Sequence, residues 1–249
     1  MITAILFDMD GVLVDNEKLK GLSVGIAVQR LRGLAEPDPQ GIQAYREMVG
    51  ASREVVSRHI VDRLSLEPDL RPIMSEYAAS EPWEALGAMR RAIYDDMVAD
   101  PQLVRDNQWP HTVGLLRLAK ENNCKTALAT LSARTEALHF VRALGLEQFL
   151  DLVLAREDVK NGKPAPDIYL LAAEKLEVEP QDCVVIEDSP NGVRAGVAAG
   201  MNVVAFGTPF TIDSLHSAQI VDHRWIVHDP DKLLEVVERR IAEHNRVSH

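Results

Sequence analysis

Short, unbroken apolar runs punctuate the chain at Ala4–Phe7, Thr126–Ala129, Leu152–Leu154, Val184–Ile186 and Val203–Phe206. They do not alternate apolar with polar residues, so they predict strands buried on both faces, as in a parallel sheet. Between them apolar residues recur at helical spacing. Val113–Ala119 ends at Asn122-Asn123, and Glu136–Leu144 stops at Gly145. Asp167–Leu176 follows a proline-rich entry, and Asn191–Ala199 stops at Gly200. Prolines suit helix starts and glycines helix ends. This strand–helix alternation predicts an α/β fold with a doubly wound parallel sheet.

Residues 16–103 break the pattern: helical periodicities are present and no convincing strand is. Val56, Ile60 and Leu64 share one helix face, and Met89, Ile93 and Met97 another. The expected organisation is a Rossmann-like core domain, residues 1–15 and 104–249, with an inserted all-α cap domain, residues 16–103. The proline-containing segments Glu36–Pro39, Glu67–Pro72 and Asp100–Pro101 are expected to be the insert's loops and exit. Leu233, Val236, Val237 and Ile241 mark a C-terminal amphipathic helix.

Composition narrows the function classes. With 46% hydrophobic and 26% charged residues and no apolar run approaching ~20 residues, a soluble globular protein without a membrane partner is expected. The apolar-then-acidic start, Met1–Asp10, lacks the basic leader of a signal peptide, so a cytoplasmic location is expected. A net charge of −11 and the absence of a basic patch argue against a nucleic-acid partner. An anionic substrate would then need cations supplied locally by its site. The two cysteines, Cys124 and Cys183, read as buried reduced thiols; the sequence alone leaves a bridge between them open.

In an open parallel sheet, ligands bind beyond the carboxyl ends of the strands. Asp8, Met9, Asp10 and Gly11 follow the first strand; Thr130, Leu131 and Ser132 the second; Glu187, Asp188 and Ser189 the fourth. Lys163 lies in the loop after Leu152–Leu154. Asp8, Glu187 and Asp188 make a hard, oxygen-rich set suited to Mg²⁺, and such a set would repel itself without a cation. Lys163 adds a point charge, Thr130 a hydroxyl donor, and Asp10 a group able to move a proton. Each piece has a bland reading: Asp-x-Asp-Gly as a turn, Lys-Pro as a loop, Glu-Asp-Ser as a helix cap. All of them in order at strand ends favour chemistry.

DMDGVLVD (Asp8–Asp15), Thr130, GKPAPDIY (Gly162–Tyr169) and IEDSPNGVRAG (Ile186–Gly196) together resemble the four ordered motifs of the haloacid dehalogenase superfamily. The whole-chain pattern is similar to its β-phosphoglucomutase-like and phosphoglycolate-phosphatase-like branch. That resemblance implies Asp8 as a nucleophile forming an aspartyl-phosphate and Asp10 as general acid and base. It implies Mg²⁺ held by Asp8, the Asp10 carbonyl, Glu187 and Asp188. Thr130 and Lys163 would hold the transferring phosphoryl group, and the helical insert would be a mobile cap. The acid at Asp10 disfavours dehalogenase and phosphonate-hydrolase activity, whose family members lack it.

Substrate-binding residues are expected at Asn16, Lys20, Arg53, Arg90, Leu131, Ser132, Arg134 and Asn191. GASRE (Gly50–Glu54) resembles the branch's cap specificity loop, which makes Arg53 the candidate for a distal phosphate; Arg90 falls near a basic cap position of the mutases. Lys20 stands where the mutases carry histidine, Ala133-Arg134 where they carry Lys-Asn, and His111 where glycine is common. For His111 a structural role is expected. These departures favour a phosphatase of a small phosphorylated metabolite over a hexose-phosphate mutase, and both over a non-catalytic binding module. A monomer or weak dimer is expected.

Overall fold

The computed structural model describes residues 1–49 and 51–247, so Gly50, the first residue of the GASRE motif, lies outside the described residues. Six parallel strands form one sheet: β1 (Ala4–Phe7), β2 (Lys125–Ala129), β3 (Leu152–Leu154), β4 (Cys183–Glu187), β5 (Asn202–Phe206) and β6 (Ile226–Val227), in the order β3-β2-β1-β4-β5-β6. β1, β4 and β5 are buried at every residue, as their uninterrupted apolar character requires. Alternate residues face opposite layers. Ala4, Leu6, Val185, Val203 and Ala205 pack with Ile168, Tyr169, Ala172 and Val193 from helices Asp167–Leu176 and Pro190–Ala198. Helices Pro110–Glu121 and Leu233–Val247 cover β1, β2 and β5.

Contacts divide the described chain into two compact units, residues Met1–Asp15 with Val104–His249, and Asn16–Leu103. The second unit is built of helices around its own core. Val24, Val28, Tyr45, Ile60, Leu64, Leu86, Met89 and Ile93 are its buried centre, with Val56 and Met97 packed against it. Asp38 and Ser52 cap two of its helices, Pro39–Arg46 and Arg53–Leu64, by accepting backbone N–H groups.

Three details differ from the sequence expectation. Glu67–Pro72 is not a loop: Glu67–Leu70 is a short helix running into a 3₁₀ turn at Arg71–Tyr77, with both prolines in first-turn positions where a missing N–H costs nothing. Pro101 likewise opens a helix, Pro101–Asp106. β6 escaped notice because two apolar residues give no period to read. Cys124 and Cys183 are free thiols, pushed up by burial to about 11 and about 12. No helix among the described residues is long and apolar enough to cross a membrane. His111 Nε2 donates to Asp231 Oδ1 at 2.8 Å, linking two helix starts.

Candidate active site

Strand register assembles the site. Phe7 lies opposite Leu128 on β2 and Ile186 on β4, so the next residue along, Asp8, falls between Ala129 and Glu187. The Asp8 N–H continues the ladder to the Ile186 carbonyl at 3.0 Å. Chain connections leave β1 and β4 in opposite directions, which makes their carboxyl ends the switch point where a doubly wound sheet opens a crevice.

Lys163 reaches into this junction from the loop before helix Asp167–Leu176. Its Nζ donates to Asp8 Oδ1 at 2.6 Å, to Glu187 Oε1 at 2.6 Å and to the Ala129 carbonyl at 3.0 Å. All three ammonium hydrogens are used, and the side chain is only 6% exposed. Burial alone would lower the Lys163 ammonium, but the Asp8 and Glu187 carboxylates outweigh it and hold it above its ordinary value. Asp8 shows the opposite balance. Burial pushes it up to about 7, against the pull of Lys163, with Glu187 and Asp10 adding repulsion.

Glu187 is the last residue of β4 rather than the first after it, and it is fully buried. Its Oε1 also accepts the Tyr169 hydroxyl at 2.8 Å, and its Oε2 accepts the Asp188 N–H, the Ser189 N–H and the Ser189 hydroxyl. Two glycines make room for these carboxylates. A Cβ on Gly192 would stand 1.8 Å from the Glu187 carboxyl carbon, and one on Gly11 would stand 2.0 Å from Asp188 Oδ2. Gly11 also adopts φ +76°, a left-handed turn that re-aims the chain after Asp10.

Oxygens of Asp8, Glu187 and Asp188 lie within 4.8 Å of one another, the only such metal-competent group of three among the described residues. Hard oxygen donors, buried and carrying more negative charge than Lys163 offsets, fit a divalent cation such as Mg²⁺.

Beyond β2, Thr130 is 1% exposed, and its Oγ1 accepts the Ser132 N–H at 3.0 Å. The Ser132 hydroxyl donates to Asp10 Oδ2 at 3.0 Å. Leu131 is half-buried and packs over Gly162, beside Lys163. Other expected substrate contacts are engaged elsewhere. Arg134 is paired with Asp158, and its N–H donates to Glu157, so it reaches a phosphate only by giving that pair up. Asn191 is exposed and accepts from Arg194 at 3.3 Å. Within the helical unit, Asn16 is fully buried and accepts the Tyr94 hydroxyl at 2.6 Å. Lys20 pairs with Glu17 at 2.8 Å, and Glu17 also accepts the Tyr45 hydroxyl at 2.6 Å. Arg90 is close enough to Tyr45 and Arg53 to feel their charge; burial holds it below its ordinary value, with Arg53 and Arg91 adding to this. Neither Arg53 nor Arg90 makes an ion pair among the described residues.

Tyr169 and Ser189 were not singled out by sequence reasoning. Tyr169 lies six positions after Lys163, as the third residue of the helix Asp167–Leu176, and Ser189 read only as a helix cap, which it also is.

Residues 2–200 match the family model described as haloacid dehalogenase-like hydrolase. Among curated relatives, the fructose-1-phosphate phosphatase YqaB of Escherichia coli is 48% identical over 200 residues, spanning 80% of this chain and 94% of that protein. A phosphorylated carbohydrates phosphatase of Thermotoga maritima is 32% identical over 201 residues, spanning 80% of this chain and 82% of its own. A crystal structure provisionally assigned as a β-phosphoglucomutase of Thermotoga maritima superposes with a TM-score of 0.67 at 27% identity, covering 95% of this chain and 98% of that one. With four acidic and basic side chains gathered at the β1–β4 switch point and a match running through most of its length, the chain belongs to the haloacid dehalogenase-like hydrolase family.

Proposed function

We propose that this protein is a Mg²⁺-dependent phosphatase of a small phosphorylated metabolite, a sugar phosphate or similar ester, working through an aspartyl-phosphate on Asp8. One observation carries the reading. The Lys163 ammonium is clamped between Asp8 and Glu187 at 2.6 Å from each, with the Asp188 carboxylate alongside. That arrangement opposes the burial that pushes Asp8 up to about 7, and it presents positive charge where a phosphate must arrive.

Asp8, the Asp10 carbonyl, Glu187 and Asp188 would hold Mg²⁺. When bound, the ion supplies the charge that lets a phosphate dianion approach these carboxylates. Asp8 attacks phosphorus as the ester P–O bond breaks, and Asp10 gives its proton to the leaving oxygen. Asp10 then takes a proton from water as the water oxygen attacks phosphorus, releasing phosphate and restoring Asp8. Thr130 holds a phosphoryl oxygen, and Lys163 does so by giving up one of its three present acceptors. Arg53 and Arg90, cationic and without ion-pair partners among the described residues, are the helical unit's candidates for the rest of the substrate. The sugar-phosphate class is supported by the named activities of the relatives.

A hexose-phosphate mutase is the second reading, favoured by the likeness to the β-phosphoglucomutase-type structure. Against it, Lys20 is tied to Glu17 and Arg134 to Asp158. Phosphorus NMR with Mg²⁺ separates the two, using β-glucose 1-phosphate with a trace of glucose 1,6-bisphosphate beside a sugar-phosphate panel that includes fructose 1-phosphate. The phosphatase reading expects free phosphate as the main product from at least one panel member, and none after chelation. Glucose 6-phosphate with little free phosphate would instead establish a mutase.

A further inference from the structure

Lys163 can grip a phosphoryl oxygen only by exchanging one of its present contacts, because Asp8, Glu187 and the Ala129 carbonyl take all three ammonium hydrogens. The three acceptors are not equivalent. Among the described residues, neither the Asp8 carboxylate nor the Ala129 carbonyl has a second side-chain donor. Both are buried, and a buried acceptor left short is costly, most of all a charged one. Glu187 Oε1 does have a second donor. The Tyr169 hydroxyl reaches it at 2.8 Å, on the same oxygen that Lys163 holds at 2.6 Å. If the ammonium lets go of Glu187, Tyr169 stays on Oε1, while the Asp188 N–H, the Ser189 N–H and the Ser189 hydroxyl stay on Oε2.

The Tyr169 ring serves the same exchange. Tyr169 is fully buried in helix Asp167–Leu176, and its ring centre lies 5.0 Å from Lys163 Nζ. At that distance an aromatic face attracts an ammonium. The attraction is to the charge, so it does not depend on where the three hydrogens point. The ammonium can therefore turn one hydrogen from Glu187 to an arriving oxygen while the ring, Asp8 and Ala129 keep it in place.

We propose that Tyr169 is the positioning residue of Lys163. Its hydroxyl holds Glu187 Oε1 while the ammonium transfers one hydrogen bond from Glu187 to a phosphoryl oxygen, so phosphate enters without parting Lys163 from Asp8. One N–H···O contact replaces another; no proton changes owner and no covalent bond forms or breaks. The proposal rests on the phosphatase reading, in which Lys163 meets the phosphoryl group, and adds which of its contacts yields.

The test measures binding of inorganic phosphate by calorimetry at saturating Mg²⁺. Tyr169→Phe keeps the ring and deletes the hydroxyl. Lys163 is then the one side-chain donor left on Oε1 and is held back, so the Kd of phosphate is expected to rise about tenfold, the scale of one hydrogen bond to a charged group. Ser189→Ala takes a hydroxyl from the other oxygen of the same carboxylate, and so reports what loosening Glu187 does in general. Its effect on the phosphate Kd is expected to be at least about threefold smaller. A Tyr169→Phe variant that binds phosphate as tightly as wild type, or no more weakly than Ser189→Ala, would overturn the proposal, whatever the thermal midpoints do. A crystal structure of the wild-type protein with phosphate reads the exchange without any variant. Lys163 Nζ should stand beyond about 3.5 Å from Glu187 Oε1, outside hydrogen-bond reach, and still donate to Asp8 and Ala129. Release of Asp8 or Ala129 in place of Glu187 would overturn the proposal. Failure of the phosphatase reading shows separately, as wild-type protein that frees phosphate from no ester.

Discussion

Replacing Asp8 with Asn is expected to abolish turnover while leaving the fold intact. The two side chains are nearly isosteric, and Asp8 sits at the end of β1 where backbone pairing fixes its place without the carboxylate. An amide is no nucleophile toward phosphorus, and a neighbouring group cannot stand in. Asp10 is two residues further on and bound to Ser132, while Glu187 is held in place by five hydrogen-bond donors. The loss in kcat should be on the order of 10⁴ or more, the scale seen when a covalent nucleophile is removed. Stability should change little, because the substitution removes one buried carboxylate and with it some of the repulsion that pushes the site's acids up. Steady-state phosphate release together with thermal unfolding checks both halves. Undiminished turnover would overturn the mechanism as a whole.

Lys163→Met should cost both activity and stability, and the stability cost should grow with pH. Met fills a similar volume but leaves Asp8 and Glu187 facing each other, buried, with their shared cation gone. Removing one partner of a buried ion pair costs about 3–5 kcal/mol. The pH dependence follows from the signs. In the folded wild type Asp8 already lies above its ordinary 3.8, at about 7, so the folded state binds more protons than the unfolded one between those values. A group raised in this way favours the folded state most at low pH, and that contribution is lost as pH rises through the folded value. Without Lys163 the folded value climbs further. Lys163 itself is raised above 10.5, so its contribution is constant across the neutral range and disappears only in strong alkali. Denaturant unfolding of metal-free protein should therefore show a modest deficit near pH 5 and a larger one near pH 8. Added Mg²⁺ should narrow the deficit at pH 8 by binding the ionised carboxylates, without restoring turnover. Equal stability of variant and wild type at pH 8 would contradict the buried pairing.

The core of this fold was readable because its strands are short, fully buried and uninterrupted, and because each ends on a chemically distinctive residue. β1, β4 and the Asp8, Asp10, Glu187 and Asp188 set announce themselves in that way. What the sequence hid is relational. No local pattern says that Ser132 faces Asp10, or that Tyr169 turns its hydroxyl onto Glu187; both contacts depend on strand register and helix docking. Arg134 looked available for phosphate because its partner Asp158 lies 24 residues away in another element. Asn16 looked like a polar contact at the start of a helix, yet burial and the Tyr94 hydroxyl absorb it. Charged side chains at surface turns reveal their type in sequence, whereas their pairing is a property of the fold.

The central claim is a covalent phosphoryl-enzyme at one carboxylate, and it can be read chemically. Wild-type protein turning over a sugar phosphate with Mg²⁺ is quenched rapidly and reduced with borohydride, which converts an acyl phosphate of aspartate to homoserine; the digested peptides are then mapped by mass spectrometry. The account predicts homoserine at position 8, dependent on substrate and absent from Asp8→Asn. Modification at another carboxylate, or none during active turnover, would contradict it.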